Sequence, residues 1–349
     1  MRSFLVPLTG LTCLFALAAA GCSADSGTTS DAAAGPAEPV SPSPGTSVSP
    51  SPTTTTVTTG YAPYVSATEA SANDSAGSPA TYNLAFVISD GSTCTAKWNG
   101  TTAIGNAAVK SRISKLTASG SSVRVSFGGA SGKELATVCS SASELAAAYG
   151  AALDAAGSTK ADFDIEGTTL TDSASVALRS QAIAELQKSR PELEVSFTLP
   201  VMPSGLDADG LALLASANKY DVQVATVNIM TMNYGETYTG DMGDYAITSA
   251  TATHTQLKSV FGTSDETAWH AMALTSMIGV NDIANETFSL SDAAQLRSFA
   301  EQKGVAWVSM WSTFRDQQCE SDVSDQDDAA TNCSGVTQSS GAFGKALAG

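Results

Sequence analysis

Residues 161–167 read Ala161-Asp162-Phe163-Asp164-Ile165-Glu166-Gly167. Successive side chains of a strand point to opposite faces, so Asp162, Asp164 and Glu166 share one face and Phe163 and Ile165 the other. The pattern fits a strand whose apolar side packs under helices and whose acidic side faces an enclosed space. Three carboxyls so placed repel one another and lose solvation, and both effects favour keeping protons, so the set is expected to titrate together. A carboxylic acid held protonated in this way near neutral pH can donate to a leaving group. Glu166, at the C-terminal end of the strand, is the expected acid. A carboxylate site for a hard cation and an inert solvated edge are the competing readings of these seven residues taken alone.

Outward from this stretch the chain alternates. Strands are predicted at Tyr61–Ala67, Tyr82–Ser89, Val123–Phe127, Ala161–Glu166, Glu194–Leu199, Val224–Met232, Ala271–Met277 and Ala306–Trp311. Helical patterns lie between them, among them Ser143–Ala156, Ser173–Lys188, Asp207–Lys219 and Ser291–Lys303. In the last, Ser291 is the expected cap, Asp292 suits the helix N-terminus, Leu296, Phe299 and Ala300 share a face, and Gly304 stops the helix. Strand–helix alternation predicts an α/β fold with a parallel sheet under helices, and eight strands in one series predict closure into a (β/α)8 TIM barrel. An open doubly wound sheet is the alternative. In such a barrel the strands' C-terminal ends carry the chemistry.

The 349-residue chain holds 17 Lys+Arg against 34 Asp+Glu, a net charge of −17. Without clustered cations, nucleic acid and anionic membrane surfaces are poor partners. With 43% hydrophobic residues there is material for a core, and two histidines disfavour a His-rich metal site.

Residues 1–22 read as an export signal, with Arg2 before an apolar run from Phe4 to Ala20. Their end, Ala19-Ala20-Gly21-Cys22, resembles a bacterial lipoprotein box in which Cys22 is lipidated; ordinary cleavage and free secretion is the alternative. Residues 23–59, rich in Ser, Thr and Pro, read as an extended spacer before a single domain at 60–349. Export predicts an extracellular protein, held at the cell surface by lipid or freely secreted. It also predicts that the remaining Cys94, Cys139, Cys319 and Cys333 form two disulfides, with the nearest pairs, Cys94–Cys139 and Cys319–Cys333, favoured among three connectivities.

With the strand ends in view, the sequence resembles the family 18 glycoside hydrolases, the chitinase family. The family's acidic motif D-x-x-D-x-D-x-E matches in its last three acids, Asp162, Asp164 and Glu166, with Thr159 in place of the first. Its Ser-x-Gly-Gly strand matches Ser126-Phe127-Gly128-Gly129, and Met310-Trp311-Ser312 resembles the strand-eight tryptophan that floors the sugar site. Met230-Thr231-Met232-Asn233-Tyr234 is close to the Met-x-Tyr-Asp/Asn pattern in two registers, one placing Met232 and Asn233 in the last two positions and the other supplying Tyr234.

The resemblance implies retaining hydrolysis assisted by the substrate's own acetamido group, the family being an exception to the two-carboxylate scheme. Glu166 would be acid and base, Asp164 would hold the acetamido N–H, and Asp162 would share a proton or hydrogen bond with Asp164, supported by Ser126. Asn233 or Tyr234 would fix the acetamido oxygen, Asn233 being favoured, with Met232 also at the substrate site, and Trp311 would face the pyranose ring. No metal or cofactor is required, and a monomer acting on chitin or chitin oligosaccharides is expected. An endo-β-N-acetylglucosaminidase acting on glycoprotein glycans and a non-catalytic sugar-binding barrel share the motif.

Other candidates are weaker. Gly129–Lys133 ends like a phosphate loop, but Glu134 follows in place of Ser/Thr. His270 precedes strand seven and His254 lies in a polar helical stretch, so no Ser-His-Asp triad has a suitable histidine. The acidic run Asp322, Asp325, Asp327 and Asp328 lacks the turn glycine of a calcium loop. Trp98 and Trp269 suit either a sugar cleft or the core.

Overall fold

The computed structural model describes residues 58–320 and 332–349. Residues 1–57, with Cys22 and most of the spacer, and the acidic run at 322–328 lie outside the described residues. Eight barrel strands form in the predicted order. The first is split into β1 (Gly60–Tyr61) and β2 (Tyr64–Ser66). Then come β3 (Thr81–Ser89), the short β4 (Ala96–Trp98) and β5 (Thr102–Ala103), and β6 (Ser122–Gly128), β7 (Lys160–Asp164), β8 (Glu194–Pro200), β9 (Val224–Met230) and β10 (Met272–Met277). A small hairpin of β11 (Gly279–Val280) and β12 (Thr287–Phe288) precedes β13 (Trp307–Trp311).

The split first strand closes the barrel. β1 pairs in parallel with β13, and β2 pairs in parallel with β3. Pro63, at the break, has no N–H to give to a ladder, and Asn83 Nδ2 donates to the Ala62 carbonyl at 2.8 Å across the gap. An antiparallel flap of β4 and β5, which the strand–helix alternation did not predict, extends from β3.

The helices begin where short polar side chains meet apolar periodicity. Asn106 caps α1 (Ala107–Leu116), Ser141 caps α2 (Ala142–Ala156), Asp172 caps α4 (Ser173–Ser189) after the one-turn α3 (Gly167–Thr171), and Asp207 caps α5 (Ala208–Lys219). Asp241 caps the twenty-residue α6 (Met242–Phe261) and Ser264 caps α7 (Asp265–His270). Each such cap contributes about 1 kcal/mol. In α8 (Leu290–Lys303) the cap is Ser289, not the expected Ser291: Asp292 sits three residues on and bonds back to the Ser289 N–H at 2.7 Å, a reciprocity only Ser289 can enter. Gly304 ends α8 in the left-handed conformation, as expected.

The strands' two faces differ in kind. Val123, Val125 and Phe127 of β6, Ala161 and Phe163 of β7, and Val195, Phe197 and Leu199 of β8 join the main core under the helices. There Phe127, Phe163, Phe197 and Tyr149 of α2 pack ring on ring. The alternate residues point into the barrel, which is unusually polar there: Asn83, Arg124, Ser126, Asp162, Ser196, Thr198, Asn228, Thr275 and Ser309 are all buried. A barrel usually fills this space with branched aliphatics; here only Ala62, Ala273 and Trp307 make a small apolar cluster. The Arg124 guanidinium lies 3.9 Å over the Trp307 ring and donates to Asn83 Oδ1 at 2.7 Å, giving a buried cation both a π face and an acceptor.

Both disulfides form in the favoured connectivity, Cys94–Cys139 and Cys319–Cys333. Trp98 is fully buried in the core. Trp269 lies outside the barrel, stacked on His254 with ring centroids 4.0 Å apart. The Gly129–Lys133 stretch leads to a buried polar knot in which Glu134 accepts from Arg179 Nη2 at 2.7 Å, Tyr149 OH at 2.8 Å and the Ala136 N–H at 2.9 Å.

Candidate active site

β7 places Asp162 and Asp164 on one inward face, and the chain then turns into α3 with Glu166 at the helix's cap position. Glu166 therefore lies just beyond the strand it was expected to end, and its carboxyl makes no capping bond. β6 comes very close here. A Cβ on Gly128 would stand 2.0 Å from the Asp164 carbonyl oxygen, and the Gly129 N–H donates to that same oxygen at 2.9 Å. Gly128 has φ +101°, so the residue must be glycine on both counts.

Asp162 is enclosed by donors. Its Oδ2 accepts from Ser126 Oγ at 2.7 Å and Tyr64 OH at 3.0 Å, and its Oδ1 from Ser196 Oγ and Thr198 Oγ1, each at 2.8 Å. Four donors match the acceptor capacity of an ionised carboxylate. Behind Thr198 the chain of donors continues, with Asn228 Nδ2 donating to Thr198 Oγ1 and Thr275 Oγ1 donating to Asn228 Oδ1, both at 2.9 Å. The expected Ser126 support is present. A hydrogen bond between Asp162 and Asp164 is not, because four hydroxyls from three strands occupy both Asp162 oxygens.

Asp164 is buried at 5% exposure, and its Oδ1 has no hydrogen-bond partner among the described residues. Burial, then the charges of Glu166 and Asp162, push its carboxyl well above the usual range. Glu166 is raised as well, by burial and by the charge of Asp282, against a lowering hydrogen bond from Asp164.

These groups open into a cavity of about 640 Å³ at the C-terminal ends of the strands. Trp311, the last residue of β13, forms part of its wall, stacked on Phe86 at 5.6 Å between centroids and edge-on to Tyr64 at 5.8 Å. The Ala85–Phe86 and Trp311–Ser312 peptides are cis. Met232 and Asn233 also line the cavity. Asn233, at φ +55°, is exposed and bonded to Asp282. Tyr234 does not reach the cavity; its ring is buried in a cluster with Tyr238 and Tyr245. Ser126 is fully buried and meets the cavity only through Asp162.

Tyr64 and Asp282 line the cavity and bond to Asp162 and Asn233 respectively, and the sequence reading singled out neither. Alternation along the first strand could have flagged the Tyr64 hydroxyl. Asp282 lies in a turn whose fold has no periodic signal. Among the described residues no group of His, Cys, Asp and Glu is arranged to hold a metal ion.

A closed barrel with buried carboxyls of raised pKa at its C-terminal face, beside an aromatic wall, is the arrangement a glycoside hydrolase calls for. The chain is 30% identical to active domain 2 of a thermostable chitinase from Pyrococcus furiosus, whose structure was solved in complex with chito-oligosaccharides. That match has a TM-score of 0.72 and covers 82% of this chain and 92% of that one. It is 35% identical over 275 residues to a probable bifunctional chitinase/lysozyme of Escherichia coli, covering 73% of this chain and 31% of that protein. It is 34% identical over 276 residues to Endochitinase 11 of Metarhizium anisopliae, covering 73% of this chain and 52% of that protein. The chain thus spans about a third and about half of the length of these two curated relatives. No family model matches the chain. The chain belongs to the family 18 glycoside hydrolases, the chitinase family.

Proposed function

We propose that the chain is a chitinase that hydrolyses β-1,4 bonds between N-acetylglucosamine units with retention. The observation that carries the reading is the state of Asp164: a buried carboxyl, raised in pKa, with an oxygen left unpartnered beside Glu166. That oxygen suits the N–H of a substrate acetamido group. With the N–H held, the acetamido oxygen is aligned to attack the anomeric carbon while Glu166 gives its proton to the glycosidic oxygen, breaking the bond to the leaving sugar. The positive oxazolinium ring forms against Asp164 and the fixed negative environment of Asp162. Glu166, now ionised, takes a proton from water as the water's oxygen bonds to the anomeric carbon and that carbon's bond to the acetamido oxygen breaks, restoring the acetamido group. Asn233 and Met232 bound the acetamido pocket, and Trp311 offers the sugar ring its apolar face. Asp282 helps Glu166 keep its proton until the leaving oxygen takes it.

The test compares the protein with Glu166→Gln on chitin oligosaccharides, following products by mass spectrometry. Wild type should release disaccharide-sized fragments and the variant essentially none. Absence of fragments from wild type removes the chitinase reading, and equal activity of the variant removes Glu166 as the acid.

The reading extends to an exported monomer with residues 1–22 as its signal, Cys22 as a lipidated N-terminus and 23–59 as its spacer. The two disulfides support export. Cys22→Ser should move the protein from the membrane fraction to the medium; an unchanged distribution removes the anchor.

A further inference from the structure

One buried acid is not used by this chemistry. Glu286, in the turn between β11 and β12, is fully buried, yet it lies outside the cavity wall. Its Oε1 accepts the Gly235 N–H at 2.8 Å, its Oε2 has no hydrogen-bond partner among the described residues, and the N–H groups of Asn233 and Tyr234 lie close to the carboxyl. The backbone N–H groups of residues 233–235 thus lie beside one side chain, that of Gly235 bonded to it. They can do so because Asn233 is left-handed at φ +55° and Gly235 is at φ +118°, which bends the chain into an anion-binding concavity. The same turn is held from above: Asn233 Nδ2 donates to Asp282 Oδ2 at 2.8 Å, and the Asp282 N–H donates to Asn233 Oδ1 at 3.1 Å. The hairpin carrying both acids is itself anchored. Val280 N–H donates to the Ser334 carbonyl at 2.7 Å, and Arg315 Nη2 donates to the Ile278 carbonyl at 2.8 Å and to that of Val280.

We propose that Glu286 is a positioning residue for hydrolysis, its buried carboxyl tying down the Gly235 N–H and so fixing the turn that carries Asn233 against the acetamido pocket. The inference rests on the chitinase reading for the role of Asn233. A side-chain amide at 286 can still accept from Gly235 through its oxygen, but it turns an NH2 donor toward the Asn233 and Tyr234 N–H groups beside it, and a hydroxyl is too short to reach. An unpaired left-handed Asn at the mouth of a cleft would otherwise sample several orientations. A shift of about 1 Å in a substrate-positioning group costs about a hundredfold in rate.

The test is a double-mutant cycle between Glu286→Gln and Asn233→Ala, read as kcat and KM on a chitin oligosaccharide, with binding of the oligosaccharide followed by Trp fluorescence and folding by thermal melts. Glu286→Gln alone should lower kcat/KM by about tenfold to a hundredfold while the protein stays folded at the assay temperature. In the Asn233→Ala background it should cost less than about twofold, because its effect passes through Asn233. Glu286→Asp, which keeps the charge, should fall between wild type and Gln. Equal losses in both backgrounds, wild-type activity of Glu286→Gln, or failure of both Glu286 variants to fold would each overturn the proposal. Wild type that binds the oligosaccharide without cleaving it would remove the hydrolytic reading alone, and the cycle in binding would still decide the role of Glu286.

Discussion

Asn233 and Asp282 hold each other by two hydrogen bonds across the mouth of the barrel, although 49 residues separate them in the chain. Asp282 also acts on Glu166, whose carboxyl its charge raises. Asp282→Asn keeps both bonds to Asn233, since an amide oxygen can accept from Nδ2, and removes only the charge. In the proposed mechanism the acid form of Glu166 is the active one, so activity should be present below its pKa and lost as pH rises through it. Removing a raising charge lowers that pKa. The basic limb of kcat/KM should therefore move to lower pH in the variant, with the acidic limb less affected. A pH–rate profile of both proteins checks this, and an unmoved basic limb contradicts it.

Asp164 illustrates the conflict between activity and stability. A carboxyl raised in the folded state binds protons more tightly there than in the unfolded chain. Stability is thus greatest below the unfolded pKa and falls as pH rises towards and through the folded pKa. Asp164→Asn has no such proton to lose. It should abolish hydrolysis and raise the melting temperature relative to wild type at neutral pH, with the gap closing in acid. Melts of the two proteins across pH should show the difference growing upward through the titration.

Two adjacent glycines should behave differently. Alanine at 128 places a methyl 2.0 Å from a backbone oxygen of β7 at φ +101°, and neither strand can give way. Gly128→Ala should cost at least about 2 kcal/mol, read by urea unfolding. Alanine at 129 meets the Phe86 ring at 2.8 Å, and a ring can move. Gly129→Ala should push Phe86 off Trp311 and raise KM, with a smaller loss of stability than Gly128→Ala.

The cavity wall has four acids, Asp164, Glu166, Asp207 and Asp282, and no Lys, Arg or His among its described residues. Neutral N-acetylglucosamine chains meet no penalty there. A chain bearing a carboxylate on alternate sugars should be cleaved much more slowly, by repulsion that added salt weakens. Relative kcat/KM values at two ionic strengths measure this; equal rates on both substrates would count against it.

The eight-strand series pointed to the barrel, and the alternation at 161–167 placed Asp162 and Asp164 on its inner face, because strand geometry forces i and i+2 onto one side. The capping residue of α8 was misplaced by two positions, since capping depends on which backbone N–H the side chain reaches. What surrounds the acids was not legible. The four hydroxyls on Asp162 come from β2, β6 and β8, at separations of 34 to 98 residues. No local pattern encodes which strands become neighbours when a sheet closes. Choosing between Asn233 and Tyr234 likewise depended on the left-handed turn and on a hairpin some fifty residues away. The sequence by itself determined the barrel and the acids, through periodicities that any strand or helix obeys. Only the tertiary structure decided how deeply they are buried and how their neighbours are oriented, because burial and long-range hydrogen bonds exist only once the barrel has closed.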